Sequence, residues 1–350
     1  MVRQDLSART LPPGQAPRPI AVLVLGGPTA TGKTAAAIRL AERFGGELIN
    51  ADSVQMVKGF DIGSAKATPA ERARVPHHLV DRFEAREELS AGGFVRLALE
   101  TIREIAARGR VPIVVGGTGF YLRALVHGLD EMPAIPPTIR EGLAARLRDE
   151  GLPVLWDELE QRDPDYALTI SAGDTQRVLR ALEVFEASGL PFSSFHRAKE
   201  PIGAQRGDEA GSAEAPRAGL RFLELALTRE RAALYERIDE RVLEMMEAGF
   251  LDEVRRLTGA GYDLSVKPMR SLGYRQLFEH MEGLWDLPSA VRAIQQGHRR
   301  YAKRQLTWFR GHGVPLIPAD EPGRLDALVE AFLASHGPGV SEGDPKTTLT

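Results

Sequence analysis

The sequence predicts an α/β protein, a parallel sheet core flanked by helices with a helical subdomain inserted into it. Three observations carry that expectation. Residues 20–25 (IAVLVL) form an unbroken apolar run, as in a strand buried on both faces. A glycine-rich turn and an alanine-rich helical segment come next, and the alternation of strand, loop and helix then recurs. After Gly128 the pattern changes: Pro133, Pro136 and Pro137 break the chain, and the stretch from there to about Gly189 has almost wholly helical composition.

Taken along the chain, the first helix runs to about Phe44 and is stopped by Gly45-Gly46. A short strand over residues 47–50 ends at Ala51-Asp52-Ser53. A second helix spans about 91–108, closed by Gly109, and a buried strand at 111–115 runs abruptly into Gly116-Gly117-Thr118-Gly119. The core is expected over 20–128 and 220–335, the helical insertion over 129–198 and a flexible loop, poor in apolar residues, over 199–219. Residues 221–227 read as a strand returning to the sheet, followed by helix to about Gly311 and a last short strand at 314–317. Residues 336–350 read as a disordered tail.

A chain of 350 residues, 43% of them apolar, can build two domains or one core with a large insertion. With no apolar run of about 18 residues, no membrane span is expected. Residues 1–19 hold four prolines and scattered charges, and read as a flexible lead-in and not a signal peptide. The absence of cysteine excludes disulfides and thiolate metal sites and suits a cytoplasmic protein, expected here as a monomer. The net charge of −3 points to no polyanionic partner, but residues 255–310 hold 11 Lys/Arg against 4 Asp/Glu, enough for a local phosphate-binding face.

The sharpest motif is Gly27-Pro28-Thr29-Ala30-Thr31-Gly32-Lys33-Thr34, which meets the eight-position phosphate-loop pattern after a buried strand and before a helix. Glycines let backbone N–H groups turn towards an anion, and the helix N-terminus adds a favourable dipole. Lys33 would bridge phosphate oxygens and the Thr34 hydroxyl would ligate Mg²⁺. The core is therefore expected to be like that of the phosphate-loop NTPases. The loop does not say which phosphate it holds: a diphosphate on a small organic group fits as well as ATP. The strand at 111–115 lacks the terminal Asp with which ATPases and kinases of this kind hold their metal. An acidic residue stands instead at Asp52, after the second strand. Since strand C-termini face the ligand crevice of a parallel sheet, Asp52 and Thr118 should both look towards the loop, unless they merely stabilise turns. His77-His78 invite a metal reading, but neighbouring side chains diverge and no third ligand lies at a useful spacing, so a structural role is expected.

Several segments together resemble the tRNA dimethylallyltransferase family. They are GPTATGKT, ADSVQMVKGFDIGSAK (51–66), HHLVD (77–81), VVGGTGFY (114–121), DTQR (174–177) with RALE (180–183), MRSLGYRQ (269–276) and YAKRQLTW (301–308), in the family's order over about 300 residues. The resemblance implies Mg²⁺-dependent transfer of a dimethylallyl group from dimethylallyl diphosphate to N6 of the adenosine 3′ of the anticodon, in tRNAs reading codons that begin with U. By matched position it implies that Asp52 is the general base, that Lys33 and Thr34 hold the diphosphate and the metal, and that Arg241 assists the leaving diphosphate. Thr118 joins the catalytic groups and also falls, with Arg140, where the family touches tRNA. The same holds for Asp52, Ser53, Val54 and Gln55, for Gln176, Arg177 and Arg180, for Arg270, Gly273, Tyr274 and Arg275, and for Lys303, Arg304, Gln305, Trp308 and Arg310. Trp308 and Phe309 beside those cations could stack on bases or could be core. Val54 and Val57 depart from the Met and Tyr common in the family, and 199–219 reads as a local insertion. Eukaryotic relatives often add a zinc finger, which a chain without cysteine does not carry in thiolate form. Three other readings share parts of the signal: a small-molecule kinase, an isopentenyltransferase acting on free AMP, and a non-catalytic RNA-binding module.

Overall fold

The computed structural model describes residues 19–130, 132–195 and 217–336. The expected lead-in, the 199–219 loop and the C-terminal tail fall almost wholly outside them.

β1 (Ile20–Gly26) passes through the phosphate loop into α1 (Lys33–Phe44), which ends where Gly45 takes a left-handed φ of 66°. β2 (Gly46–Asn50) is next, then α2 (Pro69–Arg74), β3 (His77–His78), α3 (Ala91–Ala107), β4 (Val111–Val115) and α4 (Gly119–His127). The chain then builds α5 (Pro137–Asp149), α6 (Leu152–Arg162), α7 (Pro164–Ala167) and α8 (Thr175–Ser188). It returns in β5 (Leu220–Thr228), continues through α9 (Arg231–Glu247), α10 (Phe250–Gly259), α11 (Tyr274–Met281) and α12 (Leu287–Gly311), and closes with β6 (Leu316–Pro318) and α13 (Pro322–His336).

Among the described residues the strands form one six-stranded sheet in the order β3-β2-β4-β1-β5-β6, parallel throughout. The α/β class is therefore as the sequence predicts, because the central strands are apolar on both faces: every residue from Ala21 to Gly26 is buried. Register sets the site. Leu25 and Asn50 both lie opposite Val115, so β1, β2 and β4 end level with one another. The phosphate loop, residues 51–53 and residues 116–118 consequently leave the sheet side by side at its carboxyl edge.

Two local features differ from the sequence reading. β3 is a two-residue edge strand made of the histidines themselves: His77 Nδ1 lies 2.8 Å from the Val75 carbonyl and His78 Nε2 lies 2.7 Å from Glu47 Oε2. The stretch to 311 is four helices, interrupted at Gly249 (φ 94°), at a 3-10 turn over Lys267–Arg270 and before the Asp286 N-cap.

The chain divides into two compact units, Met1–His127 with Glu214–Thr350, and Gly128–Ala213. The first has one core around the sheet, with α1 and α13 contributing Ile38, Leu40, Leu325 and Val329. A separate core, including Phe60, Phe250, Val254 and Ile294, lies under residues 54–66 and α9–α12. The second unit packs α5, α6, α7 and α8 around Leu143, Leu155, Leu159, Val178 and Leu182, with Asp163 buried at the start of α7, capping Tyr166 N and accepting from Ser193 N.

Candidate active site

The first unit holds a cleft of about 1370 Å³ above the level ends of β1, β2 and β4. Its floor is the phosphate loop. Gly27 takes a φ of 134°, and a Cβ there would lie 2.6 Å from the Leu227 carbonyl, so only glycine lets β1 and β5 close at the loop's root. Ala30 also sits in the left-handed region, at φ 62°. Thr31 is fully buried and donates its hydroxyl to the Pro28 carbonyl at 2.8 Å, so it shapes the loop from inside. Thr29, Ala30, Gly32, Lys33 and Thr34 line the cleft, whereas Gly27, Pro28 and Thr31 stand behind it. Gly32 caps α1 without a side-chain bond, leaving the first-turn N–H groups directed at the cleft as anion donors. Arg237 and Arg229 donate to the carbonyls of Ala30 and Thr31, at 3.2 and 3.3 Å, which turns those carbonyls away from an incoming anion.

Two cations sit in this floor without an acidic partner among the described residues. Lys33 Nζ donates to the Pro28 carbonyl at 2.6 Å and makes no ion pair there. Burial, and then the charge of Arg241, hold its pKa down at about 7, against an upward pull from Asp52. Arg241 makes a single long hydrogen bond among these residues, to Thr29 Oγ1 at 3.4 Å, and its pKa too is lowered, chiefly by burial. Beside them His298 of α12 is held neutral, with a pKa near 4, by burial and by Arg241. Two half-buried cations with no acidic partner among the described residues make an environment that an oligo-anion would satisfy.

Asp52 faces them across the cleft. Its Oδ1 accepts from the backbone N–H of Val54 at 3.0 Å and of Gln55 at 3.4 Å, while its Oδ2 accepts no hydrogen bond from the described residues. One oxygen of this carboxylate therefore forms the turn, and the other is left without a hydrogen bond from the described residues. Thr118 lines the same wall, its Oγ1 accepting from Ser53 N at 3.4 Å. Gly116 holds the strands together here: a Cβ on it would lie 2.3 Å from the Ala51 carbonyl.

The segment 51–66 that carries Asp52 is braced by residues sequence reasoning did not single out. Glu253 of α10, 5% exposed, accepts from the backbone N–H groups of Asp61, Ile62 and Gly63 at 3.1, 2.8 and 3.2 Å, and from the Tyr274 hydroxyl at 2.6 Å. Lys66 pairs with Asp61 and Asp81 at 2.6 Å each and donates to the Val57 carbonyl at 2.8 Å. Gln55 Nε2 ties this turn back to the Asp52 end through the Ser64 carbonyl at 3.0 Å. A phosphate loop and an Asp-bearing segment thus line one cleft, together with Lys33 and Arg241, which make no ion pair among the described residues.

The comparisons with known proteins agree with it. A family model described as IPP transferase matches residues 55–312. The chain belongs to the IPP transferase family. The tRNA dimethylallyltransferase of Geobacter metallireducens is 41% identical over 315 residues, covering 90% of this chain and 97% of that protein. That of Syntrophobacter fumaroxidans is 45% identical over 289 residues, 83% of this chain and 80% of its own length. Among solved structures, the tRNA isopentenylpyrophosphate transferase of Bacillus halodurans superposes with a TM-score of 0.64 at 32% identity, covering 90% of this chain and 97% of its own. A eukaryotic dimethylallyltransferase acting on tRNA gives a TM-score of 0.70 at 26% identity, with 92% and 81% covered.

For this IPP transferase the residues matched to RNA contacts divide into groups. Asp52, Ser53, Val54, Gln55, Thr118, Arg270, Arg275 and Arg304 line the cleft, although Val54 also packs against the core beneath. Arg275 pairs with Glu279 at 2.7 Å. Lys303 and Arg310 are exposed on α12 outside the cleft lining. Three of these residues are engaged in holding the fold, Tyr274 and Gln305 at the cleft wall itself. Tyr274 is 1% exposed and its hydroxyl is spent on Glu253, so its ring is core. Gly273, buried with φ 92°, turns the chain into α11 and offers no side chain. Gln305 is 7% exposed: its Oε1 accepts from Thr29 N at 3.0 Å and its Nε2 donates to the Gly117 carbonyl at 2.8 Å, so it pins the phosphate loop to the end of β4. Trp308 is half-buried, stacked on His312 with centroids 4.1 Å apart, and Phe309 is core at 1% exposure. In the second unit Gln176 and Arg177 are exposed at the start of α8, while Arg140 and Arg180 share Glu183 Oε2 at 3.9 and 3.1 Å. The i,i+4 spacing of Arg237 and Arg241 is the signal that could have found Arg237, since it puts both on one face of α9.

Proposed function

We propose that this IPP transferase moves a dimethylallyl group from dimethylallyl diphosphate to N6 of an adenosine in tRNA, the one 3′ of the anticodon in tRNAs reading codons that begin with U. The observation that carries the reading is the pair of half-buried cations, Lys33 and Arg241, which make no ion pair among the described residues and face Asp52, whose Oδ2 accepts no hydrogen bond from them. The diphosphate lies on the N-terminus of α1, its charge taken up by Lys33, Arg241 and the first-turn N–H groups. The acceptor adenine leaves the loop stack, at a cost of a few kcal/mol, so that its amine meets Asp52. That amine is a weak nucleophile because its lone pair is delocalised into the ring. Asp52 Oδ2 accepts its N–H and takes the proton as the new C–N bond forms and the allylic C–O bond breaks, an effect of about 10²–10⁴-fold.

The donor set suits Mg²⁺. Thr34 offers one hydroxyl at the first turn of α1, and among the described residues no cluster of three or more His, Cys, Asp or Glu side chains could cage a metal. Mg²⁺ keeps several waters and takes substrate phosphate oxygens, so a single protein hydroxyl is a sufficient anchor. When bound, the ion neutralises charge on the diphosphate. The protein is read as a monomer. No described helix is long and apolar enough to cross a membrane, and the chain is read as cytoplasmic.

The test is transfer of label from radiolabelled dimethylallyl diphosphate with Mg²⁺ to a synthetic anticodon stem-loop with an A-rich loop. Label in the RNA, at N6 of the adenosine 3′ of the anticodon, is the expected result. Label on free AMP only, or phosphate transfer from ATP, would replace the reading by an AMP isopentenyltransferase or a kinase.

A further inference from the structure

The motif VVGGTGFY contains an aromatic that prenyl transfer itself does not use. Phe120 is 57% exposed at the second residue of α4, although the residues after it are core: Tyr121 is 7% exposed and Leu122 fully buried. A lone exposed apolar residue needs no explanation in general. Its place is what matters here. Two residues earlier Thr118 lines the cleft and accepts from the N–H of Ser53, the neighbour of Asp52. Since successive Cα atoms are about 3.8 Å apart, the Cα of Phe120 lies within about 7.6 Å of that of Thr118. One residue earlier, Gly119 rests on the Trp308 ring, where a Cβ would come to 2.5 Å of Cε3. One turn back along α12 stands exposed Arg304, itself a cleft residue. An exposed aromatic thus stands two residues along the chain from the cleft wall, and the neighbouring helix α12 carries a half-buried indole against Gly119 and an exposed cation that lines the cleft.

We propose that Phe120 is a stacking platform for a base of the tRNA loop adjacent to the adenine presented to Asp52. The inference rests on the tRNA reading of the cleft. Chemistry favours this occupant: with one base drawn out of the stack, its neighbour loses a stacking partner, and an exposed phenyl face restores one without reading hydrogen-bond edges. Arg304 supplies the phosphate contact such platforms are paired with. Trp308, the aromatic that sequence alone suggested for this task, has one face taken by His312 and lies against Gly119.

The test compares Phe120→Ala, Phe120→Leu and Phe120→Trp with the wild type on an anticodon stem-loop carrying 2-aminopurine beside the target adenosine. Loss of the ring should raise the RNA KM by about 5- to 100-fold, with the KM for dimethylallyl diphosphate and the thermal midpoint unchanged. Phe120→Leu should resemble Phe120→Ala, and Phe120→Trp should resemble the wild type. The probe, quenched by stacking in the wild-type complex, should brighten in the Ala complex. Wild-type RNA kinetics in Phe120→Ala or Phe120→Leu, or unchanged probe fluorescence, would overturn the assignment while leaving tRNA prenylation standing. A wild-type protein that prenylates no RNA would overturn both.

Discussion

Tyr274 donates its hydroxyl to Glu253 Oε1 at 2.6 Å, and the same carboxylate receives three backbone N–H groups of residues 61–63. The bond joins α11 to α10 behind the segment that begins with Asp52. Tyr274→Phe removes one donor and leaves Glu253 three others, so it should lower unfolding free energy by about 1.5–3 kcal/mol, the range for hydrogen bonds to charged groups. Glu253→Ala strands three backbone donors and should lose more than about 3 kcal/mol. Equilibrium urea unfolding measures both, and equal losses would contradict this division of roles.

Gly116→Ala should damage activity more than stability. The added Cβ meets the Ala51 carbonyl at 2.3 Å, and backbone cannot swing aside as a side chain can. Relief must move residues 51–52, and Asp52 with them. Overpacking of this kind costs about 1–3 kcal/mol, and displacing a reacting group by about 1 Å can cost about 100-fold in rate. Single-turnover kinetics beside a melting curve would separate the two.

If the cleft takes the diphosphate on Lys33 as proposed, binding should be a proton-uptake reaction. In the free protein its pKa is about 7, lowered by burial and by Arg241, so at pH 8 most molecules carry it neutral. An anion on Nζ favours the charged form and raises the pKa. Binding at pH 8 should therefore take up nearly one proton, with affinity falling as pH rises above 7. At pH 6 Lys33 is already charged and its uptake should vanish. Calorimetry with inorganic diphosphate in buffers of different ionisation enthalpy reads the count; the ligand's own titration contributes equally in Lys33→Met, so the wild type should take up more protons than the variant at pH 8 and no more than the variant at pH 6.

Arg241→Ala should slow transfer by roughly 10²–10³-fold, the loss typical for one stabiliser of developing charge, while leaving RNA affinity unchanged. It should also raise the Lys33 pKa, because the guanidinium charge is the second cause of its depression. The pH dependence of diphosphate binding should then move upward in the same variant. A variant that lost RNA affinity instead would place Arg241 on the wrong substrate.

Much of this site was legible in the sequence because its parts are local. The phosphate loop follows an apolar strand and opens a helix, and its glycines announce the turn whatever packs around them. β4 ending in Gly-Gly-Thr was legible for the same reason. β3 was not, since two histidines carry no apolar signal and join the sheet by backbone pairing and a bond to Glu47. Glu253 was illegible too: within α10 it reads as one more helical carboxylate, and its backbone partners lie about 190 residues away. Tyr274 and Gln305 show the converse. Polar atoms in a functional motif suggested contact with substrate, but both are used inward, one to hold Glu253 and one to pin the phosphate loop.

If Asp52 takes the proton from the acceptor amine, Asp52→Asn should separate its two roles. Asn keeps a carbonyl oxygen to accept from Val54 and Gln55, so the turn survives while the base is lost. The measurement is the single-turnover rate of prenyl transfer to the anticodon stem-loop, with RNA affinity determined in parallel. The expected result is a fall of about 10²-fold or more in rate, with affinity within about twofold of wild type. A rate within about threefold of wild type would contradict the assignment of Asp52 as base, which would then have to be sought elsewhere in the cleft.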